Sequence, residues 1–452
     1  MAEAWNTVEA AIEDPEEVRV IFCALDSFNQ YPRLAHLNCT HFRRQAFYAL
    51  PQAHWQMLAA PPFNYLDTLT QVDKAIESNA TLTRTIVQHG LHAFGMVPAW
   101  QKADMPVEWS GIAKVNDLDK ARSTIRQFYR DWSAEGAVER DACYGPVIRA
   151  LEAEKARIMD RMTAQAEEMG TETPAAAPPQ LRVLVPGAGL GRLVFDLCRL
   201  GYHSEGNEIS YQQLLGSSYI LNYCESAGQH TIYPWIHSFS NHISRANQFK
   251  CYKVPDVQPQ QALTETAAAG GVLGTMDMCA ADFLCLYGDD AHAGTYDAVA
   301  AVFFLDTAPN VIRYLEVIRH CLRPGGILVN VGPLLWHWEN QVPSHHGYDG
   351  DDDDYEGGGN GNQQHGLLGI ADPGGFELTD DEVIALVEKM GFVVEERETG
   401  LNAPYVQDPD SMLQNSYRAS YWVARKATEP EEEEPVVAQR DGDKTTETVG
   451  GH

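Results

Sequence analysis

Gly187-Ala188-Gly189-Leu190-Gly191 directly follows the apolar run Leu181 to Val185 and opens a helix-like segment. Glycine is needed where a ligand approaches the backbone closely, and a helix start offers free N–H groups. A dinucleotide-binding turn would want another glycine at position 192, where this chain has Arg192. The Gly-x-Gly-x-Gly form instead suits a nucleoside without pyrophosphate, such as S-adenosylmethionine, and disfavours a nicotinamide dehydrogenase. Glu208, 21 residues after Gly187, falls at the end of the next strand, where a carboxylate can accept both ribose hydroxyls. Asp282-Phe283 follows the third strand at the same edge, where an acid can accept an adenine amino group while the aromatic packs on the ring. Each feature also has a plainer use: a ligand-free tight turn, an exposed strand-end glutamate, a helix-starting Asp beside a core Phe. Their common position relative to the glycine turn favours the ligand.

The elements that must position these groups read as two textures. From Pro15 to about Phe94 the chain is rich in helix formers, interrupted at Pro51, Pro61 and Pro62, which predicts a helical region. A further helix is expected from an N-cap at Asp117, with Leu118, Ala121, Ile125, Phe128 and Trp132 forming its packed stripe. Ala164 to Gln180 reads as a surface linker. Beyond it, short apolar runs at LRVLV, MDMCAA, YDAVAAVFFL and GILVNVG alternate with helix-like segments such as NVIRYLEVIRHCL. The turn Arg323-Pro324-Gly325-Gly326 separates the last two of these. Such alternation implies a mostly parallel sheet covered on both faces. Thr379 to Met390 reads as a helix with a Thr379/Glu382 capping box, and FVVEERE and SYRASYWVARK, joined without a helix, imply an antiparallel edge. The fold class is therefore α/β, Rossmann-like and seven-stranded, after an N-terminal helical region.

The stretch Pro255 to Gly274 and an insert over about residues 345–374 look too poor in apolar surface to repay their ordering entropy. The expected organisation is a helical region over 1–112, a nucleotide-binding domain over 113–426 and an acidic disordered tail over 427–452.

The 33 Lys+Arg against 63 Asp+Glu give a net charge of −30, which repels phosphate backbones and anionic membrane surfaces. Neither nucleic acid nor a membrane is an expected partner. Nine cysteines without a Cys-x-x-Cys pair argue against a disulfide framework or a zinc ribbon and point to a reducing compartment, the cytoplasm with the nucleus as a second possibility. No stretch approaches the ~18 consecutive apolar residues of a membrane span. His345-His346 with Asp349 and Asp351 to Asp354 superficially resembles a metal site, but its glycine-rich setting fixes no ligand geometry, and no metal is expected.

The strings QFYRDWSAEGAVERDACY, VLVPGAGLGRL, GNEIS, TIYPWIHSFSN, AADF, FFLDTAPNVIRYLEVI and LRPGGILVNVGPLLWHWEN together resemble the carnosine N-methyltransferase family. That family comprises class I S-adenosylmethionine enzymes that methylate the imidazole of carnosine, β-alanyl-histidine, to give anserine. The resemblance runs in order over about residues 15–426. It implies that Gln127 and Arg130 hold the cofactor from the helix before the sheet, together with Gly187, Gly189, Glu208, Asp282 and Phe283. It also implies that Asp306, His337 and Tyr417 serve the substrate. By spacing alone, Gln127 and Arg130 lie three apart on one helix and can address one ligand, Arg130 suiting a methionine carboxylate, although without the resemblance an exposed polar face is the favoured reading. Asp306 ends the fourth strand and His337 follows the fifth, at the ligand-binding edge of such sheets. Both have commoner roles, as a helix cap and as a satisfied histidine. Tyr233-Pro234-Trp235-Ile236-His237 suits a pocket wall or core. Where the family often has an aromatic cluster before the last strand, Asn415-Ser416-Tyr417 keeps only Tyr417, and a long acidic insert follows Asn340.

The resemblance makes the expected reaction methyl transfer from S-adenosylmethionine to an imidazole nitrogen of a histidine dipeptide. Asp306 is suited to the other ring N–H, while His337 and Tyr417 orient the ring. Methylation of histidine in larger peptides or proteins is the alternative within the enzyme class. A non-catalytic binding protein using the acidic tail is another class. A homodimer is left open.

Overall fold

A computed structural model describes residues 15–93, 109–169, 179–340, 369–371 and 374–428. The described residues begin with helices α1 (Pro15–His36), α2 (Phe42–Tyr48), α3 (Gln52–Ala59) and α4 (Tyr65–Ala93), which break at Pro51 and at Pro61-Pro62. Helix α5 (Val115–Trp132) begins two residues before the expected Asp117 cap. Lys114 is the N-cap, and Asp117 lies within the first turn, its carboxylate accepting the Lys114 N–H at 3.0 Å. An acid at that position satisfies the orphan donors of a helix start from inside. Helix α6 (Ala137–Glu168) absorbs the first residues of the expected linker, because Ala166 is buried and its neighbours are helix formers; residues 170–178 of that linker lie outside the described residues.

The second texture folds as β1 (Arg182–Pro186), α7 (Arg192–Arg199), β2 (His203–Glu208), α8 (Tyr211–Ser218), β3 (His230–Ile232), α9 (Arg245–Gln248), β4 (Tyr252–Val254) and α10 (Pro259–Ala268). It continues through β5 (Met276–Ala280), α11 (Phe283–Tyr287), β6 (Tyr296–Val302), α12 (Val311–Cys321), β7 (Leu322–Gly332), α13 (Asp380–Lys389), β8 (Phe392–Pro404) and β9 (Ser416–Lys426). Seven strands form one sheet in the order β5-β2-β1-β6-β7-β9-β8, and β3 and β4 pair separately. The neighbours from β5 to β7 are parallel, while β9 is antiparallel to both β7 and β8, which completes the Rossmann-like, mostly parallel sheet with an antiparallel hairpin at one side.

Strand periodicity divides the core. Val183, Val185, Ala298, Ala300, Ile327, Val329, Tyr421 and Val423 face one layer with α6 and α7. Leu184, Val299, Ala301, Leu328, Trp422 and Ala424 face the opposite layer with α12 and α13. Both faces are buried, which is why these strands read as continuous apolar runs. The Thr379/Glu382 capping box forms as expected. The turn at Arg323 to Gly326 lies inside β7 as an irregularity: pairing jumps from Tyr296↔Leu322 to Ala298↔Ile327.

Pro255 to Gly274 is a correction, since it contains α10. Gln258 caps that helix, Pro259 starts it, and Ala262 is buried in the core shared with α1, α4 and α5, which offsets the ordering cost. Of the insert, only 369–371 and 374 are described, and the tail beyond residue 428 lies outside the described residues.

Candidate active site

The turn after β1 needs all three of its glycines, with φ of +66° at Gly187, +59° at Gly189 and +74° at Gly191. Gly189 donates its N–H to Glu208 Oε2 at 2.9 Å, and Ile209 and Ser210 donate theirs to Oε1, each at 2.9 Å. Glu208 thus ends β2 inside a cradle of backbone donors. Burial pushes its carboxyl up, and the three N–H groups oppose that push.

Asp282, at the end of β5, takes the plainer of its two expected roles, that of a helix cap. Its Oδ1 accepts the N–H groups of Leu284 and Cys285 at 2.8 and 3.2 Å, capping α11, and its Oδ2 accepts that of Ile370 at 2.8 Å. Phe283 is a core residue here, its ring 5.2 Å from Phe304 and 5.4 Å from Tyr314.

Helix α5 is fastened over the glycine turn. Trp132 Nε1 donates to Leu190 O at 3.0 Å, and Arg192 Nη1 donates to Asp131 O at 3.0 Å and to Asp256 Oδ1 at 2.6 Å. Arg140 reaches the other oxygen of Asp256 at 3.1 Å. Arg192 therefore fills the place of a dinucleotide turn's last glycine with a buried ion pair. The clamp sets Arg130 beside the turn: a Cβ on Gly189 would lie 3.9 Å from Arg130 Nη2. Arg130 is held bidentately by Asp131 at 2.7 and 3.0 Å, Tyr144 donates its hydroxyl to the same carboxylate at 3.1 Å, and the guanidinium lies 5.0 Å above the Tyr405 ring. On the same helix, Gln127 Oε1 is buried without a hydrogen-bond partner among the described residues.

Across the edge, β6 is followed by Phe303, which stands at φ +53°, a genuine strain for a bulky residue. Its N–H donates to Val331 O at 2.9 Å, and a Cβ on Gly332 would meet its backbone at 3.4 Å. The following turn, Leu305–Thr307, carries Asp306, which is 3% exposed. Asp306 is not a side-chain helix cap: its Oδ2 accepts the Leu335 N–H at 2.9 Å, and its own carbonyl accepts the His337 N–H at 3.1 Å. Trp338 Nε1 also donates to Thr307 O at 2.8 Å, tying the segment after β7 to this turn. Burial pushes the Asp306 carboxyl up, opposed by the Leu335 N–H and by His337. His337 is exposed. Tyr417, on β9, is half-buried and packs edge-on against Phe303 at 5.8 Å, with Tyr405 at 6.3 Å. Its hydroxyl is pushed up by burial, then by Tyr405 and Asp306, which puts all three in one electrostatic neighbourhood.

The structure thus gathers Arg130, Gly187, Gly189 and Glu208 on one side, and Asp306, His337 and Tyr417 on the other. Val302 and Phe303 bridge them, lining a small cleft with Arg130, Tyr144, Gly187 and Ala188. Phe303 and Tyr405 pack with Tyr417 as an aromatic wall. Asp131, Tyr144, Phe303 and Tyr405 were not expected. Only Asp131, next to Arg130, carried any local signal. In the YPWIH string, Trp235 and Ile236 are buried core, and His237 Nε2 meets Tyr31 Oη at 2.7 Å. All nine cysteines are free thiols, and among the described residues no group of three His, Cys, Asp or Glu side chains could hold a metal. None of the described helices is long and apolar enough to cross a membrane.

This sheet, with its glycine turn and edge carboxylates, defines a methyltransferase of the Rossmann-like class. A family model described as Carnosine N-methyltransferase matches residues 107–428, and the chain belongs to that family. A carnosine N-methyltransferase from Schizosaccharomyces pombe is 32% identical over 91% of this chain and 97% of its own length. One from Rattus norvegicus is 31% identical over 94% of this chain and 91% of its own. Among solved structures, a SAM-dependent methyltransferase from Methanosarcina mazei aligns with a TM-score of 0.31 and 14% identity, over 55% of this chain and 94% of that one.

Proposed function

We propose that the chain transfers a methyl group from S-adenosyl-L-methionine to an imidazole nitrogen of carnosine, giving anserine and S-adenosylhomocysteine. The observation that carries this reading is Asp306: a buried carboxylate across the sheet edge from the glycine turn, with Tyr417 and His337 beside it.

The residues present fit the donor. Glu208 and Asp282 offer carboxylates to a ribose and an adenine, the glycine turn admits close approach, and Gln127 Oε1 lacks a partner that a ligand N–H or ammonium would supply. The buried Arg192–Asp256 pair stands where a dinucleotide turn would have its last glycine, which disfavours a pyrophosphate there. The donor supplies an electrophilic methyl group, so this chain's residues have to orient the acceptor and stabilise the charge it gains. Asp306 accepts a hydrogen bond from the imidazole N–H, which selects the tautomer whose bare nitrogen faces the methyl group. The same carboxylate then opposes the positive charge developing on the ring. Tyr417 and Phe303 wall the ring, and His337 stands at the exposed side, where it can take up a proton. The nine thiols support a reducing compartment, the cytoplasm with the nucleus second.

The test is incubation of the purified chain with isotope-labelled S-adenosylmethionine and carnosine, followed by mass spectrometry and NMR of the dipeptide. One labelled methyl on an imidazole nitrogen is expected. Methyl on the β-alanyl amine, or an unlabelled dipeptide alongside a labelled alternative acceptor, would overturn it.

A further inference from the structure

We propose that Arg126 anchors the terminal carboxylate of the dipeptide acceptor, so that the site selects histidine with a free α-carboxylate. This inference rests on the acceptor reading above. Helix α5 carries Arg122, Arg126 and Arg130 at successive turns of one face. Arg122 is paired with Asp119 at 3.0 Å, and Arg130 with Asp131. Nearby, Arg140 and Arg192 share Asp256. Arg126 faces no acid within hydrogen-bond reach among the described residues: its guanidinium lies 5.9 Å from the centre of the Trp235 ring, and its buried Nε has no partner. Glu139, the acid that acts on it electrostatically, spends its two oxygens on the N–H groups of Val406 and Gln407, at 2.8 and 2.6 Å. Burial and the neighbouring Arg122 together pull Arg126 below the ordinary arginine range, the signature of a cation that lacks a counter-ion.

Its position gives that missing counter-ion a source. Arg126 lies one turn before Arg130, whose guanidinium stands 5.0 Å over the Tyr405 ring, and Tyr405 packs on Phe303 at 5.0 Å and lies 6.3 Å from Tyr417, on the Asp306 side. One aromatic wall therefore separates a carboxylate suited to an imidazole N–H from an unneutralised guanidinium. In β-alanyl-histidine the ring and the terminal carboxylate hang from the same α-carbon, so one molecule presents both complementary groups across that wall. A planar guanidinium meets a carboxylate with two parallel hydrogen bonds, which fixes the ring's orientation as well as its position.

The acceptors to compare are carnosine and its C-terminal amide, with wild type, Arg126→Met and Arg126→Lys. For wild type the amide should raise KM roughly 10- to 100-fold, the worth of a charge-assisted pair. Arg126→Met should show the same rise on carnosine and treat the two acceptors alike, with melting temperature and S-adenosylmethionine affinity unchanged. Arg126→Lys should recover part of the loss. Wild type that accepts the amide as well as carnosine overturns the anchor without needing any variant. Arg126→Met that weakens the donor and leaves KM for carnosine unchanged also overturns it, assigning the cation to the donor. A wild-type enzyme that methylates neither dipeptide, yet methylates histidine inside a longer peptide, overturns the acceptor reading itself and this proposal with it.

Discussion

Glu208 and Asp306 are both buried carboxylates at the carboxyl edge of one sheet, yet they are held in opposite ways. Glu208 takes its N–H donors from Gly189, Ile209 and Ser210, all within one strand-turn-helix-strand unit. Asp306 takes one from Leu335 across the sheet, beneath a wall built from Phe303, Tyr405 and Tyr417. The glycine-turn side is a local backbone device, and the Asp306 side is a tertiary assembly of side chains. A backbone cradle is suited to holding a constant ligand, whereas a wall of rings can be re-cut for different acceptors without disturbing the cradle.

The sharpest way to break this comparison is Asp306→Asn. Asparagine keeps the shape and can still accept from Leu335 N–H, but it cannot oppose a developing imidazolium. Turnover at saturating carnosine should fall roughly 30- to 1000-fold, about 2 to 4 kcal/mol of transition-state stabilisation, with donor affinity unchanged. The sign of the stability effect is opposite. Burial raises the folded-state pKa of Asp306 above its unfolded value, so the ionised group costs stability once the pH exceeds that unfolded value. The variant's melting temperature at neutral pH should therefore equal or exceed that of wild type. Wild-type turnover should decline on acidification at a higher pH than an exposed aspartate would dictate, and the variant should lack that Asp306-dependent limb. Near-normal turnover would reduce Asp306 to a structural tie between the β6 and β7 segments.

Asp256→Ala addresses the clamp that holds α5 over the glycine turn. Removing the shared partner of Arg140 and Arg192 leaves one buried guanidinium uncompensated, which should cost about 3 kcal/mol of unfolding free energy, read from denaturant titration. Asp410→Ala, which removes the exposed Lys250 pair, serves as the control and should shift nothing measurable. Equal losses in the two variants would show that the clamp is ordinary surface electrostatics.

Glu208→Gln should weaken S-adenosylmethionine roughly 10-fold, the worth of one charge-assisted bond, while turnover at saturating donor stays within a few-fold. Calorimetry and saturation kinetics separate the two quantities. A loss confined to turnover would erase the division between a holding side and a reacting side. Tyr417→Phe should have the smallest effect, about two- to five-fold on KM for carnosine, because the ring wall survives and only the hydroxyl is lost. A hundredfold loss of turnover would give that hydroxyl a direct part in the chemistry.

The same division explains what could be read in advance. The glycine turn, Glu208 and Asp282 were legible from spacing, because their geometry follows from adjacent strands and turns. The sheet was legible because alternation of apolar runs and helices leaves few topologies. Asp306, His337 and Tyr417 came into view chiefly through family resemblance, since contacts between β6, the segment after β7 and β9 leave no short-range pattern. Phe303 carries no sign in the sequence of its left-handed backbone, and Tyr405 lies in a loop without a motif. Helix α10 was missed because its stabilisation comes from Ala262 entering a core built by remote helices, not from its own composition.

β9 has a consequence for the order in which the protein is made. This strand lies between β7 and β8 although it follows both in the chain, and it brings Tyr417 to the Asp306 side. A nascent chain extended only through β8 already contains the glycine turn, Glu208 and Asp282, but β7 still lacks its outer neighbour and the aromatic wall lacks a ring. Under the proposed function, the groups that would hold the methyl donor are therefore synthesised on the ribosome before the last ring that would face the acceptor.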